Sequence, residues 1–166
     1  MKAKSIFLAV ALLSFAAAAQ LHAQSIPDVT VENIKGGKTS SRTFCDGEGP
    51  VVISFWATWC KPCIKELDAV SDLLEEWKEE TGLRFIAVSV DDSRSVSRAR
   101  SFASGRGWEG MDFYFDVNSS LVKALNISAV PHVLVYGKDG KLAYRHVGYV
   151  PGDENELFEM VKKTLR

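Results

Sequence analysis

The most constraining feature of this sequence is an apolar run that leads directly into an amphipathic helix. Residues 51–56 are apolar except for Ser54, which predicts a strand buried on both faces and central in its sheet. From 61 to 80, apolar residues recur at spacings of three and four, the period of a helix with one buried face, and Gly82 follows as a stop signal. A chain with this junction is predicted to build a sheet covered by helices.

The remaining segments repeat the alternation of strands and helices. A weakly alternating stretch at 29–34 and a returning stretch at 39–44 predict an N-terminal β-hairpin. The later elements are predicted to be a strand at 83–90, a helix with Val96, Ala99, Phe102 and Ala103 on one side, a strand at 111–115, a helix at 116–125, a hairpin of 133–136 with 142–147, and a last helix at 154–165 packing through Leu157, Phe158, Val161 and Leu165. Asp91, Asp92 and Ser93 are expected to cap the second helix. The pattern indicates an α/β fold with a mixed central sheet and helices on both faces.

The first two dozen residues have a different character from the rest. Lys2 and Lys4 precede an apolar stretch at 6–13 and an alanine-rich continuation, the pattern of a secretory signal. Cleavage after Ala23 is favoured over cleavage after Ala19, because it leaves a polar new terminus. A membrane anchor is the alternative, but the apolar run is shorter than the roughly 20 residues that a span needs. No cysteine stands near the cleavage region to carry a lipid.

We therefore expect a signal peptide at 1–23 and one exported, soluble domain at 24–166, in a compartment such as the periplasm where disulfides can form. The composition, 46% hydrophobic and 25% charged, excludes a disordered or disulfide-dense chain. The mature segment has 18 basic against 21 acidic residues, a balance of −3. A nucleic-acid partner is not expected for such a charge.

Two of the three cysteines, Cys60 and Cys63, stand three apart where the buried strand becomes a helix. Cys60 is expected at the helix N-terminus, where unpaired N–H groups and the helix dipole stabilise a thiolate, and Lys61 adds a positive charge. Cys63 lies about one turn further in and suits a resolving role. Pro62 occupies a position where a missing N–H costs nothing. The motif predicts thiol–disulfide exchange.

The cysteine pair could also serve as a structural disulfide or as part of a metal site. A structural disulfide across two intervening residues closes too small a loop to constrain much of the unfolded chain. A zinc site needs four ligands, and no second cysteine pair or histidine pair at ligand spacing exists, so no metal or other cofactor is expected. A protein of a different class, one that holds and delivers Cu(I) through Cys60, Cys63 and His132, remains an alternative.

Residues 55–63, residues 129–132 and the glycine-bearing hairpin that reaches Gly148 together resemble the thioredoxin superfamily. Within it, the chain is most similar to the exported TlpA/ResA-like thiol-disulfide oxidoreductases over roughly residues 27–165. This resemblance implies a thioredoxin fold with an N-terminal hairpin and an inserted strand-helix element. It also implies a dithiol that reduces disulfides of exported proteins such as apocytochromes, with a membrane thiol transporter as electron donor. A disulfide-forming oxidant of the same fold is the alternative direction.

The resemblance assigns roles to further residues. Pro131 matches the family's cis-proline, preceded by Val130, whose loop lies against the active cysteines. Glu66 matches an acidic residue placed near the buried cysteine, and its i+3 offset from Cys63 makes the two neighbours on the helix. Glu66 could take the proton of Cys63, or it could be a solvated glutamate. The active-site surface expected to meet substrate is formed by Trp59, Lys61, Pro62, Val130 and Pro131.

Two positions depart from the family pattern. Ser54 replaces the buried aspartate of thioredoxins, which leaves acid-base work to Glu66 or water, and Asp68 replaces a proline that kinks the helix in many relatives.

A few other residues remain to be placed. Cys45 is expected to be a buried, inert thiol, with an intermolecular partner or a third redox residue as alternatives. His132 is expected to be a polar residue at a strand start that could also touch substrate. Trp56 is expected in the core and Trp59 partly exposed beside Cys60. Four arginines of the second helix, Arg94, Arg98, Arg100 and Arg106, predict a solvated basic face. We expect a monomer.

Overall fold

The computed structural model describes residues 25–166, so the predicted signal segment lies outside the described residues. The elements in chain order are β1 (Thr30–Asn33), β2 (Lys38–Ser40), a 3-10 helix (Ser41–Cys45), β3 (Val51–Trp56), α1 (Lys61–Thr81), β4 (Arg84–Ser89), α2 (Val96–Gly105), β5 (Asp112–Phe115), α3 (Ser120–Ala124), β6 (His132–Tyr136), β7 (Leu142–Val147) and α4 (Asp153–Lys163). The alternation predicted from the apolar pattern is confirmed.

The strands form one mixed seven-stranded sheet in the order β2-β1-β5-β4-β3-β6-β7. Strands β3, β4 and β5 are parallel, whereas β6 and β7 on one side and β1 and β2 on the other pair antiparallel. The pairing of Trp56 with Ser89 brings the carboxyl ends of β3 and β4 to the same edge. The loops that follow these two strands therefore lie side by side.

Helices cover both faces of the sheet. Helices α1 and α4 pack on one face through residues that include Leu67, Leu74, Leu157 and Val161, and Trp77 stacks on Phe158. The other face is covered by α3 and the 3-10 helix. Strand β3 is buried along its whole length because its alternate residues enter the two cores. It is central in the sheet, as predicted.

Helix α1 runs from the active-site motif to Gly82 as one element. Gly82 adopts φ 66°, a left-handed conformation that suits glycine, and its N–H donates to the carbonyl of Lys78. At Asp68, a position where the resemblance implies a proline, the carboxylate accepts hydrogen bonds from Arg106 (2.6 Å) and from the indole of Trp108 (2.8 Å). The departure at Asp68 thus ties α1 to the segment that follows α2.

The predicted hairpin partner at 39–44 is wrong beyond residue 40. Residues 41–45 instead form the 3-10 helix, capped by Ser40, whose hydroxyl accepts from the N–H of Arg42. The cause is the buried Ser41: its hydroxyl donates to the carbonyl of Pro27 (2.5 Å) and accepts from the N–H of Val29 (3.1 Å), which turns the chain away from the sheet.

One further expectation about helix surfaces was wrong, and a second holds only in part. Leu165 lies beyond the end of α4 and is exposed, so it adds nothing to the packing of that helix. The arginines in and beside α2 are solvated at Arg94 and Arg98, as expected, but three of the four are ion-paired: Arg94, Arg100 and Arg106 pair with Asp92, Glu32 and Asp68. Arg100 is largely buried against the ring of Phe115.

Candidate active site

Cys60 and Cys63 form a disulfide, with sulfur atoms 2.02 Å apart, at the N-terminus of α1. Cys60 is the N-cap residue, and its sulfur accepts the backbone N–H of Cys63 at 3.3 Å. Both residues are buried, Cys60 at 5% exposure and Cys63 at 1%. Lys61 begins the helix, exposed to solvent, and Pro62 follows at a position that needs no N–H partner.

This placement defines what the pair can do. A thiolate on Cys60 would stand at the positive end of a helix of 21 residues and would keep the N–H of Cys63 as a hydrogen-bond donor. Both interactions favour the charged sulfur over the neutral thiol and so lower the cost of making a nucleophile. Cys63 lies behind it in the core, where an apolar surrounding favours the protonated thiol.

Glu66 is a buried carboxyl on the same helix, one turn beyond Cys63. It is 3% exposed, and the hydroxyl of Ser54 on β3 donates to its Oε1 at 2.6 Å. Burial raises the pKa of Glu66 to about 7, although the hydrogen bond from Ser54 opposes the shift. Glu66 is therefore not a solvated helix residue, and its carboxyl can gain or lose a proton near neutral pH.

The loop before β6 closes the site. The bond between Val130 and Pro131 is cis, and the carbonyl of Pro131 accepts the N–H of Gly148 at 2.9 Å. Trp59 is 66% exposed beside this loop. Between them lies an apolar groove of about 140 Å³, lined by Trp59, Val90, Val122, Ile127, Ser128, Ala129 and Val130. Of the residues predicted to form the substrate surface, Trp59 and Val130 line this groove, and Lys61, Pro62 and Pro131 do not.

Asp91 is a site residue that the sequence reasoning misplaced. It does not cap α2: the side chain of Asp92 accepts from the N–H groups of Arg94 and Ser95 at that turn. The buried carboxylate of Asp91 accepts the N–H (2.9 Å) and hydroxyl (2.7 Å) of Thr58, and the hydroxyl of Ser89. It thus fixes the loop that leads into Cys60. Asp91 follows a buried parallel strand that ends at the same sheet edge as β3. This position in the sequence could have predicted that Asp91 lies near the loop of Cys60.

Cys45 and His132 lie outside the site. Cys45 is a free cysteine at the end of the 3-10 helix and only half-buried, so the expectation of a buried thiol was too strong. Burial nevertheless raises the pKa of Cys45 to about 11, and the guanidinium of Arg84 opposes that shift. His132 is the first residue of β6, is buried, and has a pKa lowered by burial.

No group of three or more His, Cys, Asp or Glu side chains among residues 25–166 is arranged to hold a metal ion. None of the helices in the same range combines the length and apolar character that crossing a membrane requires.

Residues 23–145, most of the chain, match the AhpC/TSA family. The chain belongs to the AhpC/TSA family. Among curated proteins, this family member is 27% identical to the thiol-disulfide oxidoreductase ResA of Bacillus thuringiensis (strain Al Hakam) over 122 residues, 74% of this chain and 67% of the relative. It is 34% identical to the thioredoxin Asp f 28 of Aspergillus fumigatus over 114 residues, 69% of this chain and 77% of the relative.

Solved structures agree with this assignment. A thioredoxin-like protein from Porphyromonas gingivalis, known from a solution structure, superposes with a TM-score of 0.74 at 37% identity, covering 84% of this chain and 90% of that one. The AhpC/TSA family member therefore has the thioredoxin fold and is a thioredoxin-like thiol-disulfide oxidoreductase with a close Cys60–Cys63 pair. The resemblance to ResA-like oxidoreductases is confirmed.

Proposed function

We propose that the protein is an exported reductase of protein disulfides, in which Cys60 attacks and Cys63 resolves. The thiolate of Cys60 attacks one sulfur of a substrate disulfide, and the other substrate sulfur leaves as a thiolate. Cys63 then loses its proton and attacks Cys60, which releases the second substrate thiolate. The substrate gains two electrons, and the protein is left with the Cys60–Cys63 disulfide. Each turnover therefore requires an external dithiol donor.

The observation that carries this proposal is the unequal environment of the two sulfurs. Cys60 caps the helix and receives an N–H, whereas Cys63 is enclosed in the core behind it. Electrostatics therefore favour the thiolate on Cys60. A disulfide formed between Cys60 and substrate leaves Cys63 close enough to attack it, since the Cα atoms of the pair are 5.3 Å apart.

Glu66 supplies the base for the second step. A thiol buried like Cys63 resists ionisation, and a carboxylate one helical turn away provides an acceptor for its proton. Because burial sets the pKa of Glu66 at about 7, the carboxyl is partly ionised at neutral pH and can both accept and return a proton. Ser54 orients the carboxyl through its hydrogen bond.

The substrate surface is the apolar groove beside Trp59 together with the loop of Val130 and Pro131. An exposed tryptophan next to a groove of small and branched apolar side chains suits an extended or unfolded segment that carries its disulfide to Cys60. Exported proteins such as apocytochromes are substrates of this kind, and a membrane thiol-disulfide transporter would restore the dithiol. Export rests on the signal-like segment at 1–23, with residues 24–166 as a monomeric domain.

The equilibrium reduction potential of the Cys60/Cys63 pair tests the direction of electron flow. Thiol labelling of the protein in defined redox buffers gives the oxidised fraction at each potential. A value near that of thioredoxin, about −270 mV, is expected for a reductase, and a value near about −120 mV would show a disulfide-forming oxidant instead. Within residues 25–166, no His, Cys, Asp or Glu side chain joins the cysteine pair in a group of three that could hold a metal ion, so no observation favours the Cu(I)-carrier alternative.

A further inference from the structure

A small cavity lies beside Glu66, and neither Cys60 nor Cys63 lines it. Its lining is Glu66, Val133, Tyr144, His146, Tyr149, Asp153, Glu154 and Leu157. The volume open to the centre of a water molecule is about 10 Å³, which is room for about one water. Six of the eight lining residues have polar side chains, so a water in this space finds hydrogen-bond partners.

The cavity leads from the core to the surface. Glu66 at its inner end is 3% exposed, whereas the side chains of His146 and Asp153 at its outer end are 35% and 25% exposed. Nε2 of His146 lies 3.4 Å from Oδ2 of Asp153. The charge of Asp153 is felt at Glu66, since it contributes to the raised pKa of that carboxyl. The cavity therefore connects a buried acid to a half-exposed imidazole–carboxylate pair.

The two tyrosine hydroxyl groups of the lining are less suited to carrying a proton. Burial raises the pKa of Tyr149 to about 12, and its hydroxyl donates to Oε2 of Glu154 at 2.9 Å. Burial also raises the pKa of Tyr144, which hydrogen-bonds Glu156. Both phenols thus stay protonated near neutral pH. Histidine is the side chain that most readily accepts and releases a proton in that range, and His146 is the only basic residue of the lining.

We propose that His146, held by Asp153, carries the proton of Glu66 to solvent through a water in this cavity. The inference rests on the proposed role of Glu66 as the base for Cys63. When Cys63 attacks Cys60, the proton of the Cys63 thiol passes to the Glu66 carboxylate. The resulting carboxylic acid gives a proton to the cavity water, which gives one to the imidazole ring of His146, and the imidazolium releases a proton outside. Glu66 is then ionised again for the next cycle.

Proton release during a single oxidation of the reduced protein tests this route. The reduced protein is mixed with 5,5′-dithiobis(2-nitrobenzoate), which takes two electrons and leaves as two aryl thiolates that bind no proton at neutral pH. The colour of these thiolates reports disulfide formation, and a pH indicator in weakly buffered solution reports the proton from Cys63. In the unaltered protein the two signals are expected to rise together.

His146→Gln is expected to slow the indicator signal relative to the thiolate signal by roughly a hundredfold, the low end of a proton-transfer contribution. Added imidazole should restore the lost rate, which a purely structural role of His146 would not allow. Arg145→Gln is the matched control, because it removes a cation from the opposite face of the same strand, where Arg145 contacts the carbonyl of Leu125. It should leave both signals synchronous. Synchronous signals in His146→Gln would overturn the route.

Glu66→Gln separates this inference from the function on which it rests. If Glu66 is the base, Glu66→Gln slows disulfide formation itself, and adding His146→Gln to it produces no further delay. If Glu66→Gln slows disulfide formation while His146→Gln leaves proton release synchronous, only the exit route is wrong. If Glu66→Gln leaves disulfide formation unchanged, the role of Glu66 fails and the exit route fails with it.

Discussion

The region around the Cys60–Cys63 pair and the region around Cys45 place cysteine sulfurs in contrasting environments. Cys45 is the more exposed, yet burial of its thiol raises its pKa to about 11. Cys60 is almost inaccessible, yet it caps a long helix and its sulfur accepts an N–H. Cys45 instead ends a 3-10 helix of five residues, where the last turn presents carbonyl groups rather than N–H groups, and those of Thr43 and Phe44 accept from Arg84. Burial disfavours a thiolate at both sulfurs, and of the two only Cys60 has a helix N-terminus and an N–H donor to offset it.

The largest expected effect is on disulfide reduction. Cys60→Ser and Cys63→Ser should each abolish catalytic turnover with a disulfide substrate and a chemical dithiol donor, because each removes one of the two sulfurs that exchange. Cys45→Ser should leave the rate unchanged, because its thiol takes no part. The measurement is the initial rate of substrate reduction for all three variants. A loss of turnover in Cys45→Ser would make Cys45 a third redox residue.

Alkylation should give the next largest difference. Near pH 7 a thiol of pKa about 11 is ionised in about one molecule in 10⁴, so Cys45 should react with iodoacetamide about 300-fold more slowly than an unperturbed cysteine. Cys60 of the reduced protein should react faster than Cys45. Peptide mass spectrometry at timed intervals gives each rate. Equal alkylation rates at Cys60 and Cys45 would contradict the predicted difference in thiol reactivity between the two regions.

The buried carboxyl of Glu66 should make the stability of the protein depend on pH. Burial raises the pKa of Glu66 in the folded protein, so ionising this carboxyl lowers the free energy of unfolding. The contribution of Glu66 to stability is therefore fully present below about pH 4.5 and is lost as the pH rises to about 7. The total loss is about 3 kcal/mol for a shift of this size. Glu66→Gln should therefore gain stability over the unaltered protein as the pH rises through this window.

Urea unfolding of the two proteins at a series of pH values measures that gain. Glu159→Gln, an exposed position on α4, is the control and should show no such gain. A difference between Glu66→Gln and the unaltered protein that stays constant with pH would contradict the raised pKa.

The smallest expected effect concerns the loop that carries Cys60. Asp91→Asn keeps the shape of the side chain but replaces the carboxylate, whose oxygens accept two hydrogen bonds from Thr58, by a neutral amide. We expect turnover to fall several-fold with no change in the alkylation of Cys45. Asp92→Asn, at the next residue and outside the core, is the matched control for charge and should have no such effect. An unchanged rate in Asp91→Asn would show that the loop is held without its carboxylate.

The fold and the cysteine pair were predictable because their signals are local. The apolar run at 51–56, the helical period from 61 onward and the spacing of Cys60 and Cys63 are each written within a few adjacent residues. The resemblance supplied the cis bond before Pro131, which the chain alone shows only as a proline at a strand start. These predictions depended on no contact between distant segments.

Most of the failures involve distant contacts. Asp91 reaches back 33 residues to Thr58, Arg100 pairs with Glu32, and Ser41 bonds to Pro27 to end the hairpin early. The burial of Glu66 depends on Ser54 and on α4, and could not be read from its place on α1. Sequence patterns carry the period of an element, whereas these contacts depend on how elements pack.

Trapping of a mixed disulfide tests the central claim, that Cys60 attacks and Cys63 resolves. Reduced Cys63→Ser and reduced Cys60→Ser are each incubated with a protein that carries a disulfide, then acid-quenched, and the joined species is identified by mass spectrometry. We predict a stable mixed disulfide on Cys60 in Cys63→Ser and none on Cys63 in Cys60→Ser. A stable adduct on Cys63 in Cys60→Ser, with none on Cys60 in Cys63→Ser, would contradict the assignment and reverse the two roles.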